Sequence, residues 1–89
     1  MKTVEGFRLR PLGAEFIVTG EGIEHVNFNK MISLNESAAY LWREVEGKEF
    51  DVQMLADLLV QRYDVGMDRA LPDSEAIAKK WIEAGIVTE

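Results

Sequence analysis

The period of the hydrophobic pattern changes at Leu34-Asn35, and this change limits the fold more than any other feature of the chain. Before it, apolar residues alternate with polar ones as in half-buried strands. Phe7, Leu9 and Pro11 alternate with Arg8, Arg10 and Leu12, which predicts a first strand with Pro11 at its end or on a sheet edge. Leu12-Gly13 offers a tight turn, and Glu15-Phe16-Ile17-Val18-Thr19 is rich in β-formers. Gly20-Glu21-Gly22 breaks the chain, and Ile23 to Asn29 reads as a loop, a bulged strand or a short turn. Lys30-Met31-Ile32-Ser33-Leu34 predicts a third strand, with Ile32 and Leu34 on one face and Met31 and Ser33 on the other.

After Asn35 the period is helical. Asn35 is a good N-cap with Glu36 in the first turn, and Ala38, Leu41, Trp42 and Val45 form one apolar stripe. Gly47 supplies the stop. Asp51 caps a second helix whose stripe is Val52, Leu55, Ala56, Leu59 and Tyr63, and Gly66 closes that region. Met67 to Ala70 reads as an irregular turn. Pro72 then suits the first turn of a last helix that runs to about Ala84, with Gly85 as its stop. Ile86-Val87 is an apolar tail expected to fold back on the core. Three strands followed by three helices define an α+β class, and 89 residues leave room for one small domain over residues 1–89. Trp42 and Trp81 sit in mid-stripe as core anchors.

Composition excludes most chemistry. The chain has no cysteine, so disulfides, zinc ribbons, iron–sulfur ligation and thiol catalysis are out. His25 is the only histidine, with no nucleophile beside it and no metal-ligand spacing around it. Gly20-Glu21-Gly22 lacks the third glycine of a dinucleotide loop, and no phosphate loop exists. No enzyme, cofactor or metal site is expected. The net charge is -6, and the whole excess lies in residues 35–89. Such a surface repels phosphate backbones and argues against nucleic acid as a partner. The start of the chain carries no apolar signal segment. The longest apolar run, Ala38 to Trp42, is too short to cross a bilayer, so no membrane role and a cytoplasmic setting are expected.

Binding is the remaining class. A three-stranded sheet keeps an open edge, to which an extended peptide can add as another strand. Lys30-Met31-Ile32-Ser33 is the candidate edge. On the last helix Ala84, Ile77, Trp81, Ala78 and Ile82 span an arc wider than one core face needs, so one flank can line a groove beside the edge. A well-buried terminal helix fits the same arc. The edge could also pair with its own copy in a homodimer.

The segment Asn27-Phe28-Asn29-Lys30-Met31-Ile32-Ser33-Leu34-Asn35-Glu36-Ser37-Ala38-Ala39-Tyr40-Leu41-Trp42 resembles the PqqD family, the coenzyme PQQ synthesis protein D family. The likeness continues through Leu55, Leu59, Tyr63-Asp64-Val65 and Glu83-Ala84-Gly85-Ile86-Val87. The resemblance implies a winged-helix-like fold, a three-stranded antiparallel sheet followed by three helices. It implies a non-catalytic peptide chaperone, a recognition element for the leader of a ribosomally made precursor peptide. Such a protein presents the leader to a modifying enzyme, usually a radical SAM enzyme. The leader would add beside Lys30 to Ser33, in a groove walled by the helix from Pro72 to Ala84. Met31, Ile32 and Ser33 would then give backbone contacts, and Ile77, Lys80, Trp81 and Ala84 would face the peptide from the helix, with Trp81 open to a purely core role. Leu34, Asn35, Ala38, Leu41 and Trp42 match the pattern as strand end, cap and core. Pro72 departs from it, since relatives run an unbroken helix there. Two alternatives stand beside this reading. A winged-helix DNA binder is opposed by Asp73, Glu75 and Glu83 around Lys79 and Lys80. A docking adaptor of a larger enzyme would have no peptide of its own.

Overall fold

The computed structural model describes residues 1–20 and 31–89, without the side chain of Met31. Lys30, His25 and the Ile23–Asn29 segment lie outside the described residues. Strand β1 is Lys2–Thr3, β2 Phe7–Leu12, β3 Glu15–Gly20 and β4 Met31–Leu34; helix α1 is Glu36–Val45, α2 Val52–Arg62 and α3 Met67–Glu83; β5 is Val87–Thr88. The α+β class is as expected, with the three-stranded antiparallel sheet β2-β3-β4 ahead of the three helices.

The β2–β3 hairpin closes on Gly13-Ala14, with Leu12 opposite Glu15. Gly13 takes φ 61°, the left-handed entry that a two-residue hairpin turn demands and that a side chain resists. Register then decides which side chains meet the helices. One row joins Leu9, Val18 and Ile32, and the next joins Pro11, Phe16 and Leu34. Val18 and Leu34 are buried in the main core, while Leu9, Phe16 and Ile32 pack partly against it. Ser33 pairs with Ile17 on the opposite face from Ile32 and Leu34, as expected for these three residues. Pro11 lies in β2, an edge strand, where the missing N–H costs no ladder bond.

Both expected caps form. The Asn35 side chain accepts from the Ala38 N–H at 2.9 Å, and the Asp51 side chain accepts from the Met54 N–H at 2.8 Å. Each satisfies a donor that the first helical turn leaves without a partner. The buried faces are Ala38, Ala39, Leu41, Trp42 and Val45 on α1 and Leu55, Ala56 and Leu59 on α2. Trp42 and Trp81 meet edge to face, with centroids 5.4 Å apart and planes at 86°. Neither exposes more than 1% of its surface.

Two features depart from the sequence reading. First, α3 begins at Met67 rather than Pro72, and Pro72 lies inside it. The proline removes the N–H that would bond one turn back, and Leu71 before it is biased against helix. Tertiary packing overrides both: Ala70 is fully buried, and Met67 and Leu71 pack against the core. Second, the ends of the chain pair with each other. Lys2 lies opposite Thr88 and Thr3 opposite Val87, making a separate two-stranded sheet. The Ile86-Val87 tail does fold back, and both residues are buried. Thr3 is buried too, with its hydroxyl accepting from the Gly47 N–H at 3.0 Å.

Ser74 is fully buried on α3, and its hydroxyl has no hydrogen-bond partner among the described residues. A buried hydroxyl without a partner keeps its desolvation cost. Ser74→Ala should therefore raise stability by about 1 kcal/mol, a gain of roughly 4–8 °C in melting temperature for a domain of this size. A lower melting temperature by calorimetry would show that the hydroxyl has a partner.

Candidate functional site

Strand β4 is the last strand of its sheet, so one of its edges has no strand partner among the described residues. Its N–H and C=O groups on that side are the kind that recruit an added strand. Leu34 passes directly into the Asn35 cap of α1, which anchors the end of the strand. Beside it lies a small cleft of about 110 Å³, lined by Ser33, Leu34, Asn35, Ala38, Ile77, Lys80 and Trp81. Strand end, first turn of α1 and the α3 wall thus meet at one place.

Of the eight sequence-derived candidates, this cleft gathers Ser33, Ile77, Lys80 and Trp81. Trp81 is 1% exposed, so it serves as the floor of the cleft and a member of the core rather than as an open contact surface. Ile77 is half-buried, and Lys80 is exposed at the mouth. The Ile32 side chain turns to the core side of the sheet, and in the alternating ladder its backbone groups and those of Ser33 point to opposite edges of β4. Met31 is placed by its backbone, opposite Thr19. Ala84 caps the C-terminal end of α3 and packs half-buried against the core, away from the cleft lining. Lys30 is outside the described residues.

The wide apolar arc of α3 divides between two sides. Ile77 faces the cleft. Ile82 and Ala78 instead line a groove of about 560 Å³ with Met1 and Val52, rimmed by Glu75, Lys79 and Glu83. A third groove, of about 760 Å³, adjoins the cleft at the shared residues Asn35 and Ile77 and is lined further on by Leu59, Tyr63, Val65, Arg69, Asp73 and Ala76. Sequence reasoning missed this extension. The signal was present, since Arg69, Asp73, Ala76, Ile77 and Lys80 follow helical spacing, but a helix started at Pro72 leaves Arg69 out of it.

Charge at the mouth is sparse. Arg69 pairs with Asp73 at 3.5 Å along the adjoining groove and Lys79 with Glu83 at 4.0 Å on the rim of the other one, both on exposed side chains and neither in the cleft lining. Lys80 makes no ion pair among the described residues, so its ammonium group is free to meet a carboxylate at the cleft. An exposed pair of this kind contributes little. Lys80→Glu should weaken an acidic peptide by about two- to fivefold, with the difference shrinking as salt is raised. Equal affinities for wild type and variant at low salt would remove Lys80 from the site.

Among the described residues, no group of three or more His, Cys, Asp or Glu side chains could hold a metal ion. No described helix is long and apolar enough to cross a membrane. What this geometry offers is a backbone edge with a half-apolar cleft beside it. No curated protein and no solved structure matches the chain. One family model does, that of coenzyme PQQ synthesis protein D, over residues 5–87. The match takes in β2, β3, β4, all three helices and the cleft between them, and the chain belongs to the PqqD family.

Proposed function

We propose that the chain is a non-catalytic peptide-binding adaptor, which takes the leader of a ribosomally made precursor peptide as an added strand on β4. It then presents the rest of that peptide to a modifying enzyme, of the radical SAM type or another. The observation that carries this reading is an edge of β4 that has no strand partner among the described residues and lies directly beside a cleft walled by α3. Backbone hydrogen bonds along Met31 to Leu34 would hold the peptide in any sequence, and the cleft would select side chains at alternate positions. The effect on the enzyme is one of positioning. Tethering a substrate raises its local concentration at the reacting site without any chemistry from the adaptor. The charge pattern supports a peptide over nucleic acid, because the second half of the chain is strongly acidic. Precursor peptides arise at the ribosome, which suits a cytoplasmic setting.

The test is an amide chemical-shift titration of the labelled chain with a synthetic peptide from the short reading frame nearest the gene, with duplex DNA as control. Shifts are expected at Met31–Leu34 and at Ile77–Trp81 with the peptide and nowhere with DNA. Shifts with DNA alone would overturn the reading. Concentration-dependent shifts at β4 without any ligand would instead assign the edge to a homodimer.

A further inference from the structure

Resting on the reading that a peptide adds to β4, we infer that the recognised segment is longer than the added strand, and that an apolar side chain just ahead of that strand seats in the groove between α1, α2 and α3. The cleft and the larger groove share Asn35 and Ile77 as lining residues, so the two adjoin where β4 ends. They meet at the end of β4, where Leu34 gives way to the α1 cap. The floor of the groove beyond that point is apolar, with buried Leu59 and half-buried Tyr63 and Val65. Every strand pairing in the three-stranded sheet is antiparallel. A peptide that continues this pattern runs opposite to β4, so its N-terminal flank emerges at Asn35, over the groove.

Length follows from the helix. Ile77 and Arg69, at the two ends of the groove wall, are separated by about 12 Å of helix rise. An extended chain covers that distance in roughly four residues. The flank should therefore carry a large aliphatic or aromatic residue within about four positions before the strand. With Asp73 already paired to Arg69, Glu36 is the rim charge left to disfavour an acidic neighbour to that residue.

Ala76 makes the test clean. It lines the groove, is exposed on α3 and lies outside the cleft itself. Ala76→Trp should fill the groove without disturbing the core. The probe is the consensus peptide selected on immobilised wild-type chain from a random peptide display library long enough to supply strand and flank. It is resynthesised in full and without its N-terminal flank. The consensus should place an apolar residue ahead of the strand segment, and removal of the flank should cost about tenfold or more in affinity for wild type. Ala76→Trp should bind both peptides alike, at the affinity of the shorter one. Full affinity retained by Ala76→Trp, or an apolar residue selected only after the strand, would overturn the inference while leaving strand addition in place. A consensus peptide whose binding leaves the amides of Met31–Leu34 unshifted would instead overturn the strand-addition reading itself.

Discussion

Ile32→Pro and Ser33→Pro should behave as opposites, although they are neighbours on one strand. In an antiparallel ladder, successive residues direct their N–H and C=O groups to opposite edges. One of the two prolines therefore strikes the pairing of β4 with β3, and the other strikes only the open edge. The inward variant loses a ladder bond and forces a ring against β3, at a cost of about 1–3 kcal/mol in stability. The outward variant should melt close to wild type, since proline is tolerated where no ladder bond is made. That same variant loses a donor to the peptide and places a ring where the peptide backbone must lie. Its affinity should fall by at least about tenfold. Thermal melting and peptide titration on the two proteins separate the effects. If the proline that leaves the fold intact also leaves affinity intact, the peptide does not bind along this edge.

Trp81→Ala should come close to unfolding the chain. Trp81 is buried at the meeting of α3 with Trp42, and its indole also floors the cleft. Truncating a buried tryptophan costs about 3–5 kcal/mol, from lost transfer energy and the cavity left behind. A domain of this size sits near the lower end of the usual 5–15 kcal/mol range, so most of its stability would be gone. Urea denaturation should show the midpoint falling steeply. Trp81→Phe should recover a good part of that loss while keeping the cleft floor apolar. A cost below about 1 kcal/mol for the alanine variant would mean that the Trp42–Trp81 contact is not the centre of the core.

Trp81 also illustrates what the sequence could show. Trp81 was visible from its place in a helical stripe, because burial of a large aromatic leaves a periodic trace. Asn35 and Asp51 were equally visible, since a cap depends on side-chain chemistry within three residues. The start of α3 was not. Pro72 and the residue before it gave a correct local signal, and the burial of Ala70 against the rest of the fold outweighed it. The pairing of Lys2–Thr3 with Val87–Thr88 left no trace either, because strands of two residues have no period to read and their partners lie at opposite ends of the chain. The site divides in the same way. Ser33, Ile77, Lys80 and Trp81, each legible from the strand or from the helix wheel, line one cleft. The groove beyond them went unread, since its far end depends on Arg69 being helical, in the turn that Pro72 disguised.

Hydrogen exchange at individual amides of β4 tests the central claim most directly. Without peptide, the amides that face β3 should already be protected, and the alternate ones on the open edge should exchange freely. When the peptide is bound, the open-edge amides should gain protection, in an alternating pattern along Met31 to Leu34. A peptide that binds tightly yet leaves those amides exchanging as before would contradict strand addition on β4.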